Sequence, residues 1–512
     1  MPIEARPIDL ENPFAASRAQ FEALAGQLGA GEALVMTHSA VEELLHVAGF
    51  GLLRQLFQDH LDLRAVREGL GETVTGSDGV TRTHHRDSSR PLESLFGRVT
   101  VNRIEYRARS GSGLRPLDAV LNLPDDIFSH GVRRRAAVEV ARGSFDAAIG
   151  AISATTGAHL AKRQAEELAI KAATDFDAFY ASRAGSIGLR GRESLLVISA
   201  DGKGIVMRHE DLRDATRKAA ETTPRKLAKR LTSGEKRNRK RMATVAAVYT
   251  IGKFVRGPAD ILDDLRRQKK AENRPRPFRK RVWASVEKEP ETVIREAIEE
   301  AQIRDPRRKK RWVALVDGNA TQIRILGDLA AEFDVHLTIV LDIIHVIEYL
   351  WAAAHVFHHP GTPAAENWVN ERLLRILNGD SSLVAGGMRR SATYKGMNPK
   401  DREAVDRCAG YLLNHTALLK YDEFLAAGMP IASGVIEGAC RHLIGDRMDI
   451  TGARWSLKGA EAVLRLRALC SSGDFEAYWT FHLDQEARRN HAALLAGPLT
   501  RPADTAAGPI AC

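Results

Sequence analysis

Two stretches of this 512-residue chain end alike, and they limit its fold more than any other feature. LLVISADGKG (195–204) and RWVALVDGNA (311–320) are apolar runs of strand length that close on Asp-Gly. A continuous apolar run of this length fits a buried strand covered on both faces. ATVAAVYTIG (243–252), RVWASVE (281–287) and VHLTIVLD (335–342) read the same way. The amphipathic segments ETVIREAIEEAQI and TQIRILGDLAAEF separate the later strands. Three strands in a row, then alternating helix and strand, predict an α/β layered domain.

Asp201 and Asp317 each close one of these runs, where α/β sheets place ligands and catalytic groups. The following glycine lets the backbone turn and leaves the carboxylate uncovered. A lone strand-Asp-Gly is ordinarily a turn former that bonds its own backbone. Two on neighbouring strands repel, and a divalent cation resolves that repulsion; hard oxygen ligands suit Mg²⁺ or Mn²⁺. Two such ions serve phosphodiester chemistry. The expected third carboxylate is Glu437, in ASGVIEGACRHLIGDRM, where Ser433-Gly434 reads as a helix start. Val435, Ile436, Ala439 and Cys440 around it predict an apolar setting in which the acid needs a partner. The plainer alternative is a helix-start acid favoured by the dipole.

SADGKG, LVDGNA, VLDIIHVIEYLW and GMPIASGVIEGACRHLIGDRMDITGARWS together resemble bacterial insertion-sequence transposases of the ISKra type. These are DDE transposases with a ribonuclease-H-like core, similar to Mutator elements, and the resemblance covers roughly residues 90–480. It implies a mixed sheet flanked by helices and an acidic metal-binding triad of Asp201, Asp317 and Glu437, with an all-α insertion before the glutamate helix. Asp342 and His345 match an Asp-x-x-His signature, which implies an active-site role for His345; otherwise Asp342 caps a helix and His345 is structural. Arg454 and Trp455 are similar to a basic-aromatic pair that clamps a phosphate and stacks on a base, with core packing of Trp455 as the alternative.

Lys plus Arg number 75 against 65 Asp plus Glu, a net +10 that favours polyanionic partners. Much of the excess is local. Arg225, Lys226, Lys229, Arg230, Lys236, Arg237, Arg239, Lys240 and Arg241 lie between the first two expected strands, with Glu235 the sole acid of that run. The run predicts a basic arm that orders on a phosphate backbone, or else a solvated loop. Further upstream, 17–70 reads as helical, the polar SDGVTRTHHRDSSRP (77–91) as a loop, and 92–107 as a β-hairpin around Phe96-Gly97. Two helices flank Thr155-Thr156-Gly157 like a helix-turn-helix, with Lys162, Arg163 and Gln164 exposed to read DNA at the start of the second; an ordinary helical hairpin fits equally.

The expected divisions are an N-terminal helical region (1–90), a hairpin and DNA-binding region (91–190), the first core part (191–345), an all-α insertion (346–430), a second core part with the glutamate helix (431–492) and a disordered tail (493–512). No run reaches the ~18 apolar residues of a membrane-crossing helix. MPIEARPIDLENPF has no signal-peptide core, and Cys408, Cys440, Cys470 and Cys512 are scattered. The expectation is a cytoplasmic, nucleoid-associated DNA transposase. It would use two Mg²⁺ or Mn²⁺ ions, act on double-stranded DNA as a homo-oligomer, and have no membrane partner. A ribonuclease-H-fold nuclease or resolvase, or a catalytically silent DNA-binding repressor, are the rival expectations.

Overall fold

A computed structural model of the chain describes residues 10–183, 194–222, 238–266, 274–450, 452–492 and 494–495. Its internal contacts divide the chain into two compact units, Met1–Phe179 with Phe475–Cys512, and Tyr180–Asp474. Among the described residues no helix is long and apolar enough to cross a membrane.

The first unit begins with helices Ala15–Gly29, Gly31–Leu34 and His38–Val66, then the short pair β1 (Val74–Thr75) and β2 (Thr81–Arg82). The hairpin of β3 (His84–Ser94) and β4 (Gly97–Arg107) turns at Leu95-Phe96, with Gly97 at φ +110°. Leu92, Val99 and Val101 of the hairpin pack with Leu61 and Leu123. The expected loop at 77–91 is therefore corrected: residues 84–91 form strand. Their side chains are polar because they face water, while their backbone pairs with Thr100–Arg107. Helices His130–Arg142, Phe145–Thr155 and Lys162–Ala172 follow.

The expected second core part, 431–492, is also corrected. The chain leaves the sheet unit at Asp474, and helix Phe475–Ala487 belongs to the first unit. The reason is its buried side: Tyr478 packs edge-on to Phe179, and His482 donates to the buried Asp175.

The second unit is built on β5 (Leu195–Val206), β6 (Lys240–Ile251), β7 (Phe278–Ser285), β8 (Arg311–Val316) and β9 (Leu337–Leu341). The order is β7-β6-β5-β8-β9. β6 is antiparallel to β5 and β7, whereas β8 is parallel to both β5 and β9. The sheet is mixed, and its strands are the apolar runs of the sequence. Leu195–Ile198 and Val313–Leu315 have no exposed surface, which is why they read as unbroken apolar sequence. Helices Pro290–Arg304 and Ala320–Glu332 make the crossovers into β8 and β9. Five helices separate β9 from the Glu437 segment: Ile343–Phe357, Pro363–Leu377, Ser381–Tyr394, Glu403–Asn414 and Tyr421–Ala426. Helix Gly434–Ala439 then passes into a π-helical turn, Cys440–Gly445, and the unit closes with helix Leu457–Ser472.

Candidate active site

Three adjacent parallel strands bring an aspartate to the same end of the sheet. β5 and β8 pair as far as Ser199 and Leu315, two residues short of Asp201 and Asp317. β8 and β9 pair as far as Val316 and Leu341, one residue short of Asp317 and Asp342. Asp201 does not close its strand, as the sequence suggested. β5 continues to Val206, paired throughout with β6; what ends beside Asp201 is β8.

The three carboxylates differ in what they accept. Asp201 takes the Gly202 amide on Oδ1 (2.6 Å) and the Cys440 thiol on Oδ2 (3.2 Å). Asp317 takes the Asn319 amide on Oδ1 (2.8 Å), and both Asp201 and Asp317 remain partly exposed. Asp342 is fully buried. Its Oδ1 accepts the Ile344 amide, so it caps helix Ile343–Phe357, and its Oδ2 accepts both the amide and the hydroxyl of Ser433. Both oxygens of Asp342 are thus used in structure.

The Glu437 helix is tied to this edge at both sides of the glutamate. Ser433, four residues before it, bonds Asp342; Cys440, three residues after it, bonds Asp201. Burial, then the Asp201 carboxylate, push the Cys440 thiol pKa up, so the thiol stays protonated and donates. Glu437 itself is exposed, which corrects the apolar setting expected for it. Ile436, Ala439 and Cys440 take the buried side of the turn, and Glu437 falls on the other.

The all-α insertion supports the Asp317 turn. Tyr411, from helix Glu403–Asn414, donates its hydroxyl to the Asp317 carbonyl (2.8 Å) and stacks on Tyr349 with ring centroids 4.2 Å apart. Gly318 has φ +94°, and a Cβ there would lie 2.8 Å from the Tyr411 ring, so this Asp-Gly is fixed by a close approach as well as by its turn. Tyr421 holds the neighbouring strand end through the Leu341 carbonyl.

Among the described residues no Lys, Arg or His pairs with Asp201, Asp317 or Glu437. Their hard oxygens suit a divalent cation in kind and in order along the edge. The set is not closed, however: no three His, Cys, Asp or Glu side chains among the described residues gather closely enough to hold one ion.

The other expected site residues fall as follows. His345 is on the first turn after Asp342 and its Nδ1 lies 3.3 Å from Glu348 Oε2, on the next turn. Trp455 is buried: its Nε1 donates to the Met448 carbonyl, its backbone bonds Val206 and Arg208, and its ring carries the Arg447 guanidinium. The base-stacking role expected for Trp455 is therefore corrected to core packing, while Arg454 beside it is exposed. Gln164 accepts the Ala161 amide and so caps its own helix. Lys162 and Arg163 are exposed, in surface pairs with Asp146 and Glu167. The connection between those helices runs from Thr156 to Ala161, longer than the 3–4 residues of a helix-turn-helix. It is tied to the hairpin tip by Gly157, whose amide donates to Leu95.

Of the basic run, Arg225, Lys226, Lys229, Arg230, Lys236 and Arg237 lie outside the described residues. Arg239 and Lys240 are exposed, with Lys240 3.5 Å from Asp449. Arg241 is corrected to a structural residue of β6: its guanidinium bonds the Val286 and Asp211 carbonyls. The expected disordered tail also falls outside the described residues from 496 onward.

Tyr411, Ser433 and Cys440 had no assigned role in the sequence. Ser433 read as a helix start and Cys440 as an apolar neighbour, while Tyr411 carries no local signal at all. The sequence matches no protein-family model, and no curated protein is similar enough to count as a relative.

Proposed function

We propose that this chain is a DNA transposase with a ribonuclease-H-like core, in which Asp201, Asp317 and Glu437 hold two Mg²⁺ or Mn²⁺ ions. The observation that carries the reading is the pair of partly exposed aspartates at matching positions on neighbouring parallel strands, with no cationic side chain among the described residues to neutralise them. The mixed sheet, with the first aspartate on its central strand and an all-α insertion before the glutamate helix, supports the assignment further.

Bound divalent ions would supply Lewis acidity at a scissile phosphodiester, lowering the pKa of the attacking hydroxyl and offsetting charge on the leaving oxygen. The chain's own residues set the geometry. Tyr411 fixes the Asp317 turn, Cys440 orients Asp201, and the Ser433–Asp342 bond docks the Glu437 helix. The Glu437 carboxylate has no partner among the described residues to surrender, so its side chain is free to close on the aspartates. His345, on the turn after Asp342, serves to contact a phosphate. Lys162, Arg163, Arg239, Lys240 and Arg454 are exposed cations for contacting double-stranded DNA without reading its sequence. Joining two element ends calls for more than one subunit, and the working location is the bacterial nucleoid.

The test is a joining assay with the purified chain, Mg²⁺ and DNA bearing the ends that flank its coding region. The expected products are 3′-ends covalently joined to target DNA. Cleavage without joining would make the chain a nuclease; binding without cleavage, equal with and without Mg²⁺, would make it a repressor.

A further inference from the structure

A second basic site lies away from the aspartates, on the outer strand of the same sheet. A cavity of about 280 Å³ is lined by Tyr180, Arg183, Arg279, Lys280, Arg281 and Arg304, together with Glu300, Ser472 and Asp474. Arg281 of β7 is level with Val248 of β6, which is level with Ile198 of β5, three residues before Asp201. At ~4.8 Å between strands and ~3.3 Å per residue, Arg281 and Asp201 are roughly 14 Å apart along the sheet. The cavity therefore belongs to the opposite end of the strands from the carboxylates.

Among the described lining residues five cations face two carboxylates, an excess of three positive charges. The two acids fix the guanidinium groups in place. Glu300 is 4% exposed and pairs with both Arg281 and Arg304, while Asp474 pairs with Arg183 and accepts the Tyr180 hydroxyl. The Arg281 guanidinium lies over the Tyr180 ring at 3.5 Å and the Trp283 ring at 4.5 Å. Arg304 also bonds the carbonyls of Val248 and Arg279, and Arg279 is held at φ +50°, a conformation a non-glycine residue adopts only when its surroundings enforce it. After these contacts Arg281 Nε is still buried without a hydrogen-bond partner. An unsatisfied buried N–H on a cation is costly, and an anionic oxygen is the acceptor that relieves it best. Lys280 is exposed and adds a further ammonium.

We propose that this cavity binds a phosphate group of a nucleic-acid strand. Its volume is at the low end of ligand pockets, which suits a phosphate with its sugar and excludes a large ligand. Rigid guanidinium forks match phosphate oxygens in pairs, without base readout. The span of roughly 14 Å to Asp201 corresponds to about four base-pair steps at 3.4 Å each, so one DNA segment reaches both places. The choice of nucleic acid as the phosphate source rests on the transposase reading; the anion site itself does not.

Calorimetric titration of the full chain with inorganic phosphate, at constant ionic strength, tests the site. Saturable binding is expected, weakened about tenfold by Lys280→Gln and by Arg281→Lys, which keeps the charge and loses the fork. Circular dichroism melts of each variant identify any loss of folding, and Lys280→Gln, at an exposed position, carries the test if Arg281→Lys fails to fold. No saturable binding by the wild-type chain, or the same affinity in Lys280→Gln, overturns the site. DNA affinity distinguishes the source: Lys280→Gln should weaken binding severalfold for all sequences alike and leave the joining rate at saturating DNA unchanged. Unchanged DNA affinity alongside lost phosphate binding overturns the nucleic-acid assignment. Failure of the transposase reading appears separately, as absent joining by a wild-type chain that still binds phosphate.

Discussion

The first unit and the aspartate edge of the sheet treat their acids in opposite ways. In the first unit Asp175 is held by His482 and Arg489, Glu486 by Arg133 and Arg489, and Glu105 by Arg86, Arg107 and Arg115. Asp125 and Asp126 share Arg133 and Lys171. Each of these five acids has its cation built in, and Asp175, Glu486 and Glu105 are buried. At the sheet edge, among the described residues, the Asp201 and Asp317 carboxylates accept only backbone amides and a thiol, and the Glu437 carboxylate accepts nothing. Asp342 shows that an acid at this edge need not await a cation: its oxygens are filled by two amides and a hydroxyl, and it is sealed from water. The contrast separates acids that hold the fold from acids left open, as the proposed metal site requires.

Substitution breaks the comparison most sharply at the edge. Asp201→Ala, Asp317→Ala and Glu437→Ala should each lower DNA joining by about a thousandfold in a gel assay, a loss of the size seen when a principal source of charge stabilisation is removed. Their melting temperatures should fall by only a few degrees, because hydrogen bonds but no ion pair among the described residues are lost. Arg133→Met should do the reverse. It takes one of two cations from Glu486 and from Asp126, leaving them Arg489 and Lys171, and should cost about 1.5–3 kcal/mol in denaturant unfolding, with DNA chemistry per folded molecule unaltered.

Acid sharpens the same contrast. Burial, and then Arg133, hold the His130 imidazole down to about 4 from 6.5, while its Nε2 meets the Asn122 carbonyl. The unfolded chain takes up that proton near pH 6.5 and the folded chain only near 4. The stability due to neutral His130 is thus complete above pH 6.5 and drains away as pH falls toward 4, by up to about 3 kcal/mol. His130→Gln should flatten the stability–pH slope in that window; an unchanged slope would remove His130 from the account. The smallest effect belongs to Tyr411→Phe, which leaves the Asp317 carbonyl without its donor. It should cost about 1 kcal/mol and slow joining severalfold, seen as a fall in rate at saturating DNA.

Much of the sheet was legible because its strands are buried on both faces and therefore read as unbroken apolar runs. The first two carboxylates were legible because each interrupts such a run just before a glycine. What escaped the sequence is long-range. The sequence offered a helix-cap reading for Asp342, but nothing local shows that Ser433, 91 residues away, seals it. Trp455 carried two readings, a stacking ring implied by the family resemblance and a core ring, and only a backbone bridge to the end of β5 decides for the core. The polar strand at 84–91 was hidden for the opposite reason: its fold is set by backbone pairing to β4, which leaves no apolar mark.

The central claim is that Asp201, Asp317 and Glu437 share divalent cations. Titration of the full chain with Mn²⁺, followed by electron paramagnetic resonance, tests it without any DNA substrate. Saturable Mn²⁺ uptake by the wild-type chain is expected, with loss of that uptake in Asp201→Asn, Asp317→Asn and Glu437→Gln alike. Uptake that persists undiminished in Glu437→Gln would contradict it, since the glutamate helix would then stand outside the site.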